Sequence, residues 1–239
     1  TVCIIGSYDE NNHTFVEERN QAIDYGIDFY APQTLLTTDG RRVMIGWLQN
    51  WDTCLPSMIH TSWFGQMSLP RELSVKDGRL FQKPIRELET LRRNEVRYRN
   101  LTFTDLLQLS GISGRKIDME LSIRPGDENQ VYQKFAVRFA QDATHHTAVS
   151  FRPQESLLKI DRKFSGSRRA LIHQRRSLVR HHNGSIRLRL ILDRFSAELF
   201  VNDGEQVLSV SIQTPQEAEG ISFFCSGLVN MDVVKYDLI

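Results

Sequence analysis

Four short turns constrain the fold of this chain more than any other feature. An Asp-Gly or Asn-Gly pair stands between apolar or alternating runs in each of the four segments TTDGRR, VKDGRL, HHNGSI and VNDGEQ. These dipeptides readily adopt the left-handed backbone that a tight β-hairpin turn requires. The run Phe195–Val201 alternates as a half-buried strand does, with an apolar side chain at every second position. The sequence therefore predicts an all-β chain.

Further apolar or alternating runs extend this prediction along the chain. We expect strands at Val2–Tyr8, Phe29–Leu36, Val43–Gln49, Ile117–Ile123, Phe135–Ala140, Ile186–Leu192, Val207–Ile212, Ile221–Cys225 and Met231–Tyr236. The one helical pattern is Pro84–Asn94, which has a proline in its first turn and apolar residues spaced three apart. It lies between an aromatic-rich first third and a long β-rich remainder. We therefore interpret residues 81–94 as a linker helix between two domains.

Composition excludes several classes of partner. The formal net charge is +1, so the chain lacks the broad basic excess of a nucleic-acid-binding protein. No apolar run approaches the roughly 18 residues of a membrane-spanning helix, and no signal peptide is recognisable. The three cysteines, Cys3, Cys54 and Cys225, form no Cys-x-x-Cys pair. Buried thiols in a reducing compartment, and hence a cytoplasmic location, are the expectation. The chain opens on the strand-like run TVCIIGSY, and we read it as the later part of something longer.

Four blocks of the sequence carry a resemblance to a known family. They are DYGIDFYAPQT at 24–34, RRVMIGW at 41–47, QMSLPREL at 66–73 and DRFSAELFVNDG at 193–204. Together, in this order and spacing, they resemble glycoside hydrolase family 32, the β-fructofuranosidases, which include invertases, sucrose-6-phosphate hydrolases, levanases and inulinases. The resemblance implies a five-bladed β-propeller that carries the active site, followed by a two-sheet β-sandwich. Residues 1–80 then correspond to the last part of the propeller and residues 95–239 to the sandwich.

The same resemblance implies a retaining glycosidase that uses two carboxylates about 5 Å apart, one as nucleophile and one as acid. The family holds its nucleophile in Asn-Asp-Pro-Asn, its transition-state stabiliser in Arg-Asp-Pro and its acid in Glu-Cys. None of these blocks occurs in the 239 residues. We therefore expect no catalytic residue here and no activity from this chain alone. The expected substrate of the parent protein is sucrose or sucrose 6-phosphate, and inulin and levan stay open.

Six residues are candidate contacts for a fructoside. A furanose ring exposes C–H groups on one face, which aromatic rings cover, and hydroxyls at its rim, which carboxylates and amides bind. The aromatic candidates are Tyr30, Trp47 and Trp51, and the polar candidates are Asp24, Asp28 and Gln33. The alternative is structural: the rings fill space between blades, and Asp24 only shapes a turn.

Other clusters are interpreted as structural. The adjacent histidines at 145–146 and 181–182 face opposite sides of a strand, so we expect neither a metal site nor a cofactor. The arginines between 168 and 180 are interpreted as a solvated surface, although recognition of a phosphorylated sugar stays open. Asp193 and Glu198 lie an odd number of residues apart and cannot converge on one bond. We expect Asp193 to hold local backbone and Glu198 to make a polar contact with the first domain.

A rival interpretation belongs to another class of protein. The chain would then be a non-catalytic β-sandwich module that binds carbohydrate or mediates dimerisation. A homodimer formed through the sandwich is open under both interpretations.

Overall fold

The computed structural model describes residues 1–49, 65–166 and 172–239, and β-strands account for most of them. The strands are β1 Val2–Asp9, β2 Thr14–Ala22, β3 Tyr30–Leu36, β4 Arg42–Trp47, β5 Arg71–Lys76, β6 Arg79–Pro84, β7 Arg92–Leu107, β8 Ile117–Pro125, β9 Lys134–Gln141, β10 His146–Arg152, β11 Leu157–Phe164, β12 Gln174–Leu178, β13 Ile186–Asp193, β14 Ser196–Val201, β15 Gln206–Ser211 and β16 Gly220–Leu238. The prediction of an all-β chain is confirmed.

The described strands form three antiparallel sheets. β1 and β2 make a hairpin, and β3, β4, β5 and β6 make a four-stranded sheet in chain order. A ten-stranded sheet follows in the order β12-β11-β10-β9-β16-β8-β13-β14-β15, with β7 paired to β16. The five-bladed propeller and the two-sheet sandwich stay predictions.

Strand β16 makes the large sheet curl. Its first half, from Gly220 to Ser226, pairs with β9, and its second half, from Val229 to Asp237, pairs with β8 on the same side. The partner changes around Gly227, whose φ of 100° belongs to the backbone region that glycine favours. One apolar core is shared by strands from both halves, with Phe223 and Met231 of β16 fully buried within it. The two predicted strands at 221–225 and 231–236 are therefore one bent strand.

The segment between β2 and β3 attaches the first part of the chain to the edge of the large sheet. The amides of Tyr25 and Ile27 donate to the carbonyls of Val207 and Ser209 on β15, each at 2.8 Å. A Cβ on Gly26 would lie 2.1 Å from the Ser209 backbone, so only glycine permits this approach. The segment thus covers an edge that would otherwise expose unpaired backbone groups.

The predicted helix Pro84–Asn94 is wrong in type and extent. Pro84 ends β6, a 3₁₀ helix spans Arg86–Leu91, and β7 begins at Arg92. Ile85, Leu88 and Leu91 are spaced three apart, which is the repeat of a 3₁₀ helix rather than an α-helix. Leu88, buried, and Ile85, partly buried, belong to a small apolar cluster on the outer face of β13–β15. No helix in the described ranges is long and apolar enough to cross a membrane.

Candidate functional site

Tyr30 and Trp47 form an aromatic corner where β3 begins and β4 ends. The two residues are direct partners across the strands, with ring centroids 6.4 Å apart and planes at 61°. Tyr30 is 46% exposed, and Trp47 is half-buried. A Cβ on Gly65 would lie 3.0 Å from Nε1 of Trp47, so this glycine leaves room for the indole. The corner thus presents apolar ring surface to solvent, the kind of surface that covers the C–H face of a sugar.

The remaining predicted residues divide into three cases. Gln33 lies on β3 opposite Ile45 and is exposed, beyond an irregular step in the pairing that follows Tyr30. Trp51 lies outside the described residues. Asp24 and Asp28 are buried where the first part of the chain meets the large sheet.

Asp24 is surrounded by protein donors. Its Oδ1 accepts from the amides of Gly26 at 2.8 Å and Ser209 at 2.9 Å, and its Oδ2 accepts from the Ser209 hydroxyl at 2.7 Å. The same Oδ2 lies 3.0 Å from Nη1 of Arg71, and both side chains are almost completely buried. Asp24 therefore shapes the turn at Gly26 and also binds across to β15.

Arg71 lies at the centre of this buried network. Its Nε and Nη2 donate to Oε2 of Glu198 at 3.0 and 2.6 Å, and Nη2 also donates to the Ser209 hydroxyl at 2.6 Å. The other oxygen of Glu198 accepts from the Leu69 amide at 2.6 Å. The predicted contact between Glu198 and the first part of the chain is confirmed. So is the local role of Asp193, which accepts from the amide of Arg194 at 2.7 Å.

The network contains two carboxylates and one guanidinium, so its buried negative charges outnumber its positive charge. Burial raises the pKa of Glu198 above its ordinary value, against the opposing effects of the Arg71 charge and the Leu69 amide. Burial acts to lower the pKa of Arg71, but the charges of Glu198 and Asp24 outweigh it and raise that pKa overall. Arg71 therefore stays a cation, and its removal would leave two buried carboxylates without a counter-charge.

Asp28 forms a second buried ion pair, with Arg162 of β11. Its Oδ2 also accepts from the amide of Ser211 at 2.7 Å and from the hydroxyl of that serine. Neither charged side chain is more than 4% exposed. The next residue, Phe29, lies under the guanidinium of Arg71, whose Cζ is 4.4 Å from the ring centroid. Both ion pairs therefore fix the segment that leads into Tyr30.

These contacts determine what the site can do chemically. Tyr30 offers a ring that is 46% exposed beside the half-buried ring of Trp47, and Gln33 offers an exposed amide on the same strand pair. Asp24 and Asp28 are bound by arginines and accept hydrogen bonds from serines and backbone amides. Their direct contact with a sugar stays a prediction, while their contacts in the structure position the backbone beside the aromatic corner.

Arg71 and Arg162 were given no role by the sequence interpretation. A signal for Arg162 was present, because in LLKIDRKF it continues the inward positions of Leu158 and Ile160. An arginine at a core position requires a carboxylate partner. Arg71 lies inside the family-like block at 66–73, but nothing local indicates that it is buried.

The histidine pairs have contacts of their own. His145 pairs with Asp142 at 2.9 Å, and His146 stacks on Phe164 with centroids 5.2 Å apart. His181 accepts from the amide of Gly184 through Nδ1 at 2.9 Å. Within the described ranges, no three His, Cys, Asp or Glu side chains are grouped so as to hold a metal ion. In the same ranges Cys3 and Cys225 are free thiols, and Cys54 lies outside them.

Comparison with known families matches the chain in two adjoining stretches. Residues 1–84 match the glycosyl hydrolases family 32 N-terminal domain, and residues 87–237 match the glycosyl hydrolases family 32 C-terminal domain. The chain therefore belongs to glycoside hydrolase family 32. The resemblance inferred from the four sequence blocks is confirmed.

Individual relatives agree with this family. A sucrose-6-phosphate hydrolase of Staphylococcus xylosus is 34% identical over 236 residues, which cover 98% of this chain and 47% of that protein. A raffinose invertase of Escherichia coli is 31% identical, covering 86% of this chain and 41% of that protein. The crystal structure of fructan 1-exohydrolase IIa from Cichorium intybus superimposes with a TM-score of 0.85 at 21% identity, covering 98% of this chain and 54% of that one. The chain thus spans about half the length, or less, of the relatives that it matches.

Proposed function

We propose that this chain is part of a retaining β-fructofuranosidase that hydrolyses terminal β-D-fructofuranosides, with sucrose or sucrose 6-phosphate as the substrate. The names of the relatives support this reaction class. The observation that carries the proposal for this chain is the aromatic corner, in which Tyr30 and Trp47 present ring surface beside a rigidly held segment. The corner and Gln33 form one side of the fructosyl site, together with Trp51.

The proposal assigns a supporting task to the two aspartates. Asp24 and Asp28 hold the backbone that carries Tyr30, because their carboxylates are bound by Arg71, Arg162 and two serines. Precise placement matters for catalysis, since a misplacement of about 1 Å in a positioned group costs roughly a hundredfold in rate. The large sheet therefore contributes to the site through Arg162 and Ser211, which bind Asp28, rather than through a residue that touches the substrate.

The proposal includes the finer architecture that the family resemblance implies. Residues 1–80 belong to a five-bladed propeller, residues 81–94 connect, and residues 95–239 form a sandwich. The catalytic carboxylates belong to blocks that do not occur in these 239 residues. The protein acts in the cytoplasm, which the free thiols of Cys3 and Cys225 support.

The test compares exposed aromatic residues in a longer protein that contains the catalytic blocks. Tyr30→Ala and Trp47→Ala are each expected to lower kcat/KM for sucrose by about ten- to a hundredfold, because each loses a buried contact of roughly 1.5–3 kcal/mol with the sugar. Tyr8→Ala is the matched control, since Tyr8 is 58% exposed on β1, which belongs to a different sheet from β3 and β4. Steady-state kinetics and melting curves are recorded for all three variants.

Two results would contradict the proposal. One is unchanged kcat/KM in both corner variants with a large loss of melting temperature, which would make the corner a packing contact. The other is release of hexose from sucrose by the 239-residue chain alone, at a rate within about tenfold of an ordinary turnover of ~10 per second. That second result would place catalytic residues inside this sequence.

A further inference from the structure

A small pocket on the outer face of the large sheet carries an unusual charge. Its volume is about 100 Å³, and four of its six lining residues are basic: Lys134, Ser150, Arg152, Leu157, Lys159 and Arg176. The lining comes from four consecutive strands, β9 to β12, so a rigid sheet fixes the positions of these residues. We call it the basic pocket.

The strand register places like charges face to face. Lys159 on β11 is the direct partner of Arg176 on β12, and Ser150 on β10 is the direct partner of Lys159 on its other side. Like charges directly opposite one another destabilise a sheet. An anion between the two side chains would turn this repulsion into attraction.

Carboxylates of the chain neutralise only part of the charge. Arg152 pairs with Glu155 at 3.0 Å, and Lys159 pairs with Asp161 at 2.9 Å. Neither Lys134 nor Arg176 forms an ion pair within residues 1–49, 65–166 and 172–239. Four cations against two carboxylates leave an excess of two positive charges around the pocket.

The positive charges around the pocket affect the titration of Lys134. Burial, followed by the positive charges of Lys159, Arg152 and Arg138, lowers the pKa of this ammonium group. At the floor, Ser150 is only 7% exposed and adds a hydroxyl donor. Arginine, lysine and hydroxyl donors converging on one small cavity are the donor set that binds the oxygens of a phosphoryl group.

We propose that the basic pocket binds a dianionic phosphoryl group, either free phosphate or a phosphomonoester. The cavity of about 100 Å³ suits one tetrahedral oxyanion rather than a whole sugar. A phosphomonoester carries about −1.5 to −2 charges at neutral pH, which matches the excess of two positive charges. Lys134 and Arg176 supply the ionic contacts, and the Ser150 hydroxyl donates to one oxygen. The proposal is independent of the fructosidase site, which lies on the first part of the chain.

The experiment is isothermal titration of the 239-residue chain with inorganic phosphate, at constant ionic strength maintained with sodium chloride. The test variant is Lys134→Gln/Arg176→Gln. The matched control is Arg97→Gln/Arg124→Gln, which removes two positive charges outside the pocket, from arginines paired with Glu95 and Asp232. We expect saturable binding that the test variant weakens by at least about tenfold and the control leaves within about twofold.

Melting curves keep the test decisive. Phosphate should raise the Tm of the wild-type chain and of the control, but not that of the test variant, because a ligand stabilises only the state that binds it. Without phosphate, the test variant should melt no lower than wild type, since it removes like charges from one face. If it does melt lower, Arg176→Gln alone, at an exposed position, supplies the same comparison.

Further titrations separate the two sources of the phosphoryl group. Glucose 6-phosphate binding more tightly than phosphate indicates a phosphorylated sugar, whereas equal affinities indicate free phosphate; glucose itself should not bind in either case. The proposal is overturned if binding is not saturable, if chloride competes as well as phosphate, or if the two double variants lose affinity equally.

Discussion

The two parts of the chain are stabilised in different ways. In the large sheet every residue of β14 is buried, and Phe139, Phe151 and Phe223 are completely enclosed. In residues 1–84, by contrast, several large apolar side chains are more than half exposed, among them Val2, Tyr8, Phe15, Val16 and Leu36. Where this first part meets the large sheet, the buried groups include the charged residues Asp24, Asp28 and Arg71.

Stability and relative position depend on different interactions in this protein. Apolar burial is strong but not directional, so it stabilises the large sheet without fixing how another element lies on it. Ion pairs with several hydrogen bonds require a defined geometry and destabilise strongly when one partner is lost. The charged contacts at Arg71 and Arg162 therefore set the position of the segment that leads to the aromatic corner.

The largest expected effect comes from removing the central cation. Arg71→Ala should lower the free energy of unfolding by about 3–5 kcal/mol, because two buried carboxylates lose their counter-charge. Arg42→Ala, an exposed arginine on β4, is the control and should change stability by less than about 0.5 kcal/mol. Urea unfolding followed by tryptophan fluorescence measures both.

A double variant sharpens this result. Adding Glu198→Gln to Arg71→Ala should cost less than the sum of the two single changes, because the neutral amide no longer needs the cation. Full additivity, or a loss below about 1 kcal/mol for Arg71→Ala, would show that the network does not hold the two parts together.

The second effect compares a buried aspartate with an exposed one. Asp28→Asn should lower the free energy of unfolding by roughly 1.5–3 kcal/mol, because it weakens charge-assisted bonds to Arg162 and Ser211. Asp203→Asn breaks an ion pair with Arg187 in which both partners are more than half exposed, and should cost at most about 1 kcal/mol. Chemical denaturation measures the free energy of unfolding of both variants. An equal decrease in the two would mean that burial of the Asp28–Arg162 pair contributes nothing to stability.

The smallest expected effect is on stability at low pH, through the ion pairs of Glu72 with Arg41 and Arg86. Hydrogen bonds from Arg86, opposed in part by burial and assisted by Arg41, lower the pKa of Glu72 from 4.5 to about 2. A lowered carboxyl pKa contributes stability that is present above the unfolded value and is lost as pH falls through the folded one. Glu72→Gln should therefore flatten the loss of stability between pH 4.5 and about 2.

The control for this pH effect is Glu10→Gln, at the exposed turn between β1 and β2. Melting temperatures across the acid range should keep their wild-type slope in this variant. An identical slope in wild type and Glu72→Gln would mean that the ion pairs of Glu72 do not survive in solution.

The fold class and much of the local structure can be predicted from the amino-acid sequence. Asp77-Gly78 has positive φ at both residues, as a tight hairpin between β5 and β6 requires, and the strand that the alternation in Phe195–Val201 indicates is β14. The prediction that this strand is only half-buried is wrong, because Ser196 and Glu198 are buried as well as the apolar positions between them. These features are readable because turn geometry and a repeat of two depend on a few consecutive residues. Strands such as β7 and β11, in which charged residues break the alternation, were not predicted.

The pairing of the buried charges, in contrast, depends on the tertiary fold. Arg71 and Glu198 are 127 residues apart, and Asp28 and Arg162 are 134 apart. That Asp24 and Asp28 contact a sugar stays a prediction, and the arginines that bind them in the structure come from strands that local patterns cannot bring together. The pairing depends on how the segment after β2 docks along β15, and that docking is fixed by backbone hydrogen bonds and by the absence of a side chain at Gly26. The local sequence does not distinguish a carboxylate that points to solvent, to a ligand or to a buried arginine, because its partner is determined by contacts between residues far apart in the chain.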